Sequence, residues 1–384
     1  DPDDPVFSVV GVGSNGFPGY SPEFSDEYAR DSIAVYGELS TDVTDNFFVQ
    51  IAARWEDYSD FGDEIVSKIA GRYRLTDNMA LRGSFGTGFR APTPGQQGTT
   101  NVSTRLPNGF PVATGLFPPS GNVAQALGAL PLKAETSTSY TFGLTADMGE
   151  LTFTIDYYSI EIDDRFRAIS TLDVSADPNG DPAAYARFLA LQAAGVAGAA
   201  SIGGVNYFQN AIDTTTTGID IVASYPISWD NGQDTSLNFA FGYNESELDT
   251  DPLDILNAEG EYDFENFDPN TRWNLTAVHS FSESFSLMGR VRYYGEADNS
   301  NTGGTGPNGL RFQTMDATTF FDLEASYRFN DNWRVTAGGR NVTDEYPSAT
   351  AREIGDFCCG RIYPSGTVVP WQGGYWYARV SADF

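Results

Sequence analysis

The chain has 384 residues, with 22 Lys and Arg against 52 Asp and Glu, a formal net charge of −30. That balance disfavours nucleic acid and anionic surfaces as partners and suits a surface that recruits divalent cations. Aromatics reach 14% and only 19% of residues are charged, which fits strands and interfacial aromatic girdles; no run approaches the roughly 18 apolar residues of a membrane-spanning helix.

From Asp1 to Glu27 the chain is acidic, holds Pro and Gly, and reads as an external loop without the basic and apolar segments of a secretory signal. Alternation of apolar and polar residues then predicts about thirteen strands. They cover Ala29–Ser40, Phe47–Tyr58, Glu64–Leu75, Met79–Arg90, Glu135–Ala146, Leu151–Ile162 and Tyr207–Ile227. Further on come Thr235–Glu245, Thr271–Phe281, Phe285–Gly295, Thr318–Phe329, Trp333–Val342 and Gly374–Phe384. In one strand Phe321, Leu323, Ala325 and Tyr327 share a face, while Asp322, Glu324, Ser326 and Arg328 share the other. Trp333, Val335 and Ala337 likewise oppose Arg334, Thr336 and Arg340, and Phe285, Leu287 and Val291 oppose Ser286, Arg290 and Arg292.

Alternation alone fits a sandwich as well as a barrel, but connection length separates them. Gaps of roughly two to six residues alternate with gaps of about twenty or more, as in a transmembrane barrel with short periplasmic turns and long outer loops; only Ser59–Asp63 breaks the trend. The fold class is therefore all-β, an antiparallel transmembrane β-barrel, with Phe384 at the periplasmic rim. Long external loops fall near 91–134, 164–206, 246–270, 296–317 and 343–373. Within them, Asp181 and Pro182 cap a helix over Ala183–Ala194. Gly195–Gly204 reads as a mobile segment, and Leu106–Asn122 carries no periodic signal. Cys358 and Cys359 are adjacent, fitting a local vicinal disulfide or two thiols.

Several segments carry a family likeness. LRGSFGTGFRAPTPGQ (Leu81–Gln96), NVTDEYP (Asn341–Pro347) and the terminal ARVSADF (Ala378–Phe384) stand in one order, with EDYSDFG (Glu56–Gly62) and DYYSIEIDDRF (Asp156–Phe166) between and before them. From about Tyr28 onward the chain resembles TonB-dependent outer-membrane receptors, the GFRAP core at Gly88–Pro92 being the most specific piece. The resemblance implies a barrel of about 22 strands around a globular plug, in the outer membrane of a Gram-negative bacterium. It implies energised uptake of a scarce or bulky solute: an iron chelate, a cobalamin-like molecule or an oligosaccharide. Residues 28–384 match the C-terminal part of that barrel, leaving 1–27 as a loop remnant. The plug, with its TonB box, and the first strands have no counterpart here. The implied partners are therefore the plug and remaining strands, from the same precursor or a separate chain, and a TonB-type energy complex acting through the plug. Lipopolysaccharide and a surface lipoprotein complete the set. A terminal aromatic, Phe384, is by the same resemblance the membrane-insertion signal. A passive porin-like or structural barrel, scaffolding another surface assembly, is the alternative.

The candidate lumen residues are Arg82, Arg272, Arg290, Arg292, Asp322, Glu324, Arg328, Arg334 and Arg340, which fit contact with plug or solute and fit a wet ion-pair ladder too. Phe110, Phe117, Tyr363 and Trp371 are outer-loop aromatics that could grip a solute or pack the loops. The acid-rich stretch Asn244–Asp268 reads as a solvated loop or as a calcium site through Asp249, Asp251 and Asp254, with bridging to lipopolysaccharide phosphates between the two. No other cofactor is expected. Nothing reads as catalysis: there is no Gly-x-Ser-x-Gly elbow or phosphate loop, and the single histidine, His279, sits on an apolar strand face.

Overall fold

The structure, a computed structural model, describes residues 27–105, 112–249, 256–354, 362–364 and 366–382. In chain order the strands begin with β1 (Ser32–Thr44), β2 (Phe47–Tyr58), β3 (Gly62–Thr76), β4 (Met79–Arg90), β5 (Asn101–Arg105), β6 (Val112–Leu116) and β7 (Glu135–Met148). They continue with β8 (Leu151–Ala168), β9 (Leu172–Asp173), β10 (Ile202–Asn206), β11 (Phe208–Ser228), β12 (Asp234–Leu248) and β13 (Thr271–Ser280). The last are β14 (Phe285–Tyr294), β15 (Ala297–Thr302), β16 (Leu310–Met315), β17 (Thr318–Arg328), β18 (Trp333–Arg340) and β19 (Tyr375–Ala382). Among the described residues, four α-helices lie in the long connections: α1 (Pro94–Gly98), α2 (Asn122–Ala126), α3 (Pro182–Ala193) and α4 (Ala258–Asn266).

One 13-stranded sheet runs in the order β1-β2-β3-β4-β7-β8-β11-β12-β13-β14-β17-β18-β19. Every neighbouring pair is antiparallel, and among the described residues β1 pairs only with β2 and β19 only with β18. Each predicted strand is present, with ends shifted by a few residues. A meander of this kind puts successive connections at opposite rims. At the short-turn rim, side chains close the backbone: Thr44 and Thr76 hydroxyls accept from the N–H of Asn46 and Asn78. Asn330 Oδ1 accepts from the N–H of both Asn332 and Trp333 at 3.0 Å, an Asx turn that lets β17 fold directly back into β18.

The outer face carries cross-strand rows of apolar side chains. Leu39, Ile51, Ile69, Phe85 and Tyr140 lie side by side on successive strands, each about half exposed or more. Such a belt is unfavourable against water at about 25 cal/mol per Å² and favourable against hydrocarbon, where the ladder satisfies the backbone. Near the short-turn rim the belt ends in aromatics: Phe281 and Phe285 stack at 5.4 Å and Tyr327 meets Phe329 edge-on at 4.9 Å.

Among the described residues, the cluster of buried apolar side chains lies above the opposite rim. β5, β6, β10 and β9 form a four-stranded sheet, with β6 and β10 parallel. With α2 and α3 it encloses Phe117, Val123, Phe188, Leu191, Ile202, Val205 and Tyr207. The helix expected after Asp181 is α3, with the Asp181 carboxylate accepting from the N–H of Ala183 and Ala184 and Pro182 in its first turn. The expected mobility of Gly195–Gly204 is corrected, and Leu106–Asn122, which shows no periodic signal, yields a strand. Gly195–Gly204 supplies buried Val196, Ala199 and Ile202 to this core. From the stretch Leu106–Asn122, β6 forms a central strand of the cap. In both, short runs gain order from partners far along the chain. β8 and β11, at 18 and 21 residues, extend past the belt and carry the cap. A hairpin of β15 and β16 stands over the other side of the mouth, with α4 packed on it.

Candidate functional site

All nine candidate lumen residues fall on the face opposite the apolar belt, as their cross-strand partners require. One row crosses β4, β7, β8, β11, β12 and β13 as Arg82, Gly143, Asp156, Asp220, Gly242 and Arg272. Arg82 reaches over Gly143 to grip Asp156 with both arms of its guanidinium, Nε to Oδ1 at 2.7 Å. The glycine makes this reach available: a Cβ there would overlap the Asp156 carboxylate and stand 2.9 Å from the Ile155 carbonyl oxygen.

Asp322 is only 3% exposed. It accepts from Arg292 Nε and Nη2 at 3.1 and 3.0 Å and from the Asn341 backbone N–H at 2.9 Å. Arg290 Nε donates to Thr276 Oγ1 at 2.9 Å. Glu324 accepts from the Tyr377 hydroxyl and lies 3.8 Å from Arg379. Arg340 covers the Tyr375 ring at 6.0 Å, while Arg328 and Arg334 are direct neighbours near the short-turn rim.

Above this wall lies a cavity of about 760 Å³. β8 provides Arg165 and Arg167 to its lining, and α4 provides Glu259, Asp263 and Phe264. Both guanidiniums stand over the Phe264 ring, at 5.5 and 5.6 Å. Neither is given a carboxylate partner among the described residues. The acid-rich stretch expected to be a solvated loop is, over α4, a docked helix. The Tyr262 hydroxyl donates to Asp298 at 2.7 Å, and Ser300 donates to Asp263 through its N–H at 3.0 Å and its hydroxyl at 2.7 Å. Burial pushes the Asp263 carboxyl up despite the Ser300 bonds. Burial and then the Asp263 charge raise Glu259. Burial and the Asp298 bond push Tyr262 up to about 12.

Tyr363 lines this cavity and stacks on Tyr346 at 6.1 Å and 7°. Trp371 is 54% exposed. Phe117 is 1% exposed and belongs to the cap core, which favours the loop-packing reading over contact with a solute. Asp249 accepts from the Thr215 hydroxyl at 2.7 Å, and among the described residues no three His, Cys, Asp or Glu side chains are grouped to hold a metal. Phe110, Asp251, Asp254, Cys358, Cys359 and Phe384 lie outside the described residues, as does nearly all of 1–27.

Arg165 and Arg167 escaped the strand pattern because Asp164 is left-handed, with φ 55°, and the β8–β11 register shifts at Asn210/Ile212 and Ile212/Thr214. The available signal was the charge pair in Asp164-Arg165-Phe166-Arg167, set where alternation fails. The motif segments instead act as rim clamps. Arg90 pairs with Glu135 at 2.8 Å and covers the Phe166 ring. Arg30 grips Asp60 at 2.7 Å and donates to the Pro92 carbonyl, while Gln97 donates to Asp60 at 2.8 Å. Asn341, at φ 51°, ties itself to Glu345 by paired bonds at 2.7 and 2.9 Å.

The family model described as TonB dependent receptor-like, beta-barrel matches residues 3–342. Among solved structures, the siderophore receptor PirA of Acinetobacter baumannii superposes with a TM-score of 0.64 at 15% identity, over 98% of this chain and 49% of that one. A variant of the ferric enterobactin receptor PfeA of Pseudomonas aeruginosa gives 0.61 at 15%, over 92% and 45%. The FrpB iron transporter of Neisseria meningitidis gives 0.57 at 14%, over 92% and 45%. At such identity the likeness is one of fold, and the chain spans just under half the length of these proteins. No curated protein matches the sequence.

Proposed function

The chain belongs to the TonB-dependent receptor β-barrel family, and from that premise we propose that it forms wall and outer mouth of an outer-membrane receptor for an anionic, ring-bearing solute such as a ferric chelate. The observation that carries this reading is the pair Arg165 and Arg167 flanking Phe264 in the mouth cavity. Two guanidiniums over one ring offer a fork for oxygen anions beside a stacking surface. The names of the structural relatives, a siderophore receptor, a ferric enterobactin receptor and an iron transporter, support the solute class. Long loops face outward, a plug fills the lumen, and a TonB-type complex supplies energy through it; lipopolysaccharide surrounds the belt.

Binding of a ferric catecholate to the detergent-solubilised receptor carrying this chain, followed by tryptophan quenching, tests the reading. Arg165→Gln with Arg167→Gln is expected to weaken binding by at least about tenfold, the loss of one charge-assisted bond. Equal binding by the double variant, or a preference for a neutral oligosaccharide, overturns it. Steady conductance in planar bilayers would instead mark a passive pore.

A further inference from the structure

Among the described residues, β15 and β16 pair only with each other. Two residues at each base, Gly295-Glu296 and Asp316-Ala317, interrupt the ladder between this hairpin and the wall strands β14 and β17. A two-stranded hairpin is marginal in water by itself, so its order comes from what lies on its two faces.

Period-2 alternation gives each face to a different loop. Asp298, Ser300 and Phe312 share one face, with Ser300 directly opposite Phe312, and this face holds α4. The Tyr262 hydroxyl donates to Asp298, the Ser300 N–H and hydroxyl donate to Asp263, and the Tyr262 ring meets Phe312 edge-on at 4.7 Å. Asn301, Arg311 and Gln313 share the other face, with Asn301 opposite Arg311, and hold the last long loop. Asn301 donates to the Ile354 carbonyl, and Arg311 Nη1 to the Glu353 carbonyl at 2.9 Å. The Gln313 amide donates to the Ala349 carbonyl at 2.8 Å and accepts from the Ala351 N–H at 2.7 Å. These two bonds reproduce, with a side chain, the exchange between paired residues of an antiparallel ladder. Ser300 and Ile354 are both buried, so the bonds on each face are shielded from water.

The cap is organised on other terms. Its buried apolar cluster spans residues 102–207 and includes no residue of α4, the hairpin or the last loop. Toward β8 and the cap, α4 offers the Phe264 ring to Arg165 and Arg167, and the Asn257 N–H to the Ser170 hydroxyl at 3.0 Å.

We propose that α4, the β15–β16 hairpin and residues 348–354 form one cooperative lobe that opens against the cap as a single piece, with the hairpin as its joint and the Phe264 contact as its seam. Losing either loop exposes one face of a hairpin that is marginal alone, and so weakens the hold on the other loop. The lobe is one wall of the mouth cavity, supplying Asn299, Ser300 and Asn301 from β15, Phe264 from α4 and Ile354 from the loop. Gln313 does not line that cavity, yet its two partners flank Thr350, which does. Gln313 is therefore a positioning residue for a site it does not touch.

Hydrogen exchange on the solubilised receptor, read by mass spectrometry with no solute added, tests this independently of the anion reading. Gln313→Ala removes the two bonds to the last loop, on the face away from α4. Tyr262→Phe removes only the hydroxyl that reaches Asp298. Each variant is expected to speed exchange in both α4 and residues 348–354 by a common factor of at least about fivefold, the effect of one lost hydrogen bond on an opening equilibrium. Amides of α3, in the cap, should keep the parent rate. Heat-modifiable migration on gels checks that each variant retains its barrel, and Tyr262→Phe, smaller by one oxygen, carries the test if Gln313→Ala does not fold. Faster exchange confined to the loop that each variant touches overturns the proposal. Equal loosening of α3 overturns it as well, since the outer mouth would then be one unit without a seam.

Discussion

Removing the Asp322 carboxylate is the most severe single perturbation of the lumen wall. Asp322 is 3% exposed, and the Arg292 side chain it neutralises is 22% exposed. Three N–H donors converge on its two oxygens, two from Arg292 and one from the Asn341 backbone. Asp322→Ala leaves a guanidinium and an N–H without acceptors, and breaking such a buried pair costs about 3–5 kcal/mol. Asp322→Asn keeps one neutral acceptor, so about half of that loss is expected. The comparison is Glu324, whose Arg379 partner is 3.8 Å away and 62% exposed; Glu324→Gln should cost under about 1 kcal/mol. Urea titration in detergent micelles, followed by tryptophan emission, measures all three. The midpoint should fall in the order Glu324→Gln, Asp322→Asn, Asp322→Ala, with slope unchanged. If Asp322→Ala costs no more than Glu324→Gln, burial does not set the strength of these ion pairs and the reasoning fails.

Gly143→Ala should destabilise the barrel by about 2–3 kcal/mol on the same titration, because the added Cβ drives Asp156 off Arg82 and crowds the Ile155 carbonyl. The roof helix α4 should respond to pH in a defined direction. Asp263 and Glu259 titrate above their ordinary values of 3.8 and 4.5, so their contribution to docking is full below those values and is lost as pH rises through the raised ones. The protection factors of amides within α4, with the intrinsic pH dependence of exchange divided out, should therefore rise as pH falls toward the ordinary carboxylate values. Asp60 has the opposite sign: burial opposes its ionisation, but bonds from Arg30 and Gln97 prevail and hold it below 3.8. Its clamp is present above that value and weakens as pH falls through the lowered one, and Asp60→Asn should remove this acid dependence of exchange in the Ser59–Phe61 turn.

The barrel wall was legible because its solvent differs on its two sides. Leu39, Ile51 and Phe85 must face hydrocarbon and Arg82 and Asp156 must not, so period-2 alternation is enforced residue by residue. The cap was illegible for the complementary reason. Phe117, Leu191 and Val205 meet from loops far apart in sequence, and each loop alone is too short or too small in its residues to show a period. α4 was hidden differently. Glu259, Glu261, Asp263 and Glu265 make it look solvated, and only its pairing with Ser300 and Asp298 on β15 reveals a docked face. The segments most suggestive of family, around Arg90 and Asn341, hold loops to strands, so their recognition value and their binding value are separate.

The net charge of −30 on this chain and the Arg165–Arg167 pair in its mouth cavity pull an anionic solute in opposite directions at different ranges. Far from the mouth the acidic exterior repels, and at about 0.15 M salt that field dies within a Debye length of about 8 Å. Inside the cavity Arg165 and Arg167 act across shorter distances and against the low-dielectric Phe264 ring, where screening is weaker. Raising salt from about 20 to about 150 mM should therefore increase the association rate of a ferric chelate, the reverse of ordinary electrostatic steering. The same change should raise the dissociation rate only modestly, because the contacts proposed to hold the solute lie in the cavity. Surface plasmon resonance on the captured receptor separates the two rates. An association rate that falls with salt would mean that the arginines already dominate the field outside the mouth, and that the acidic exterior plays no part in access.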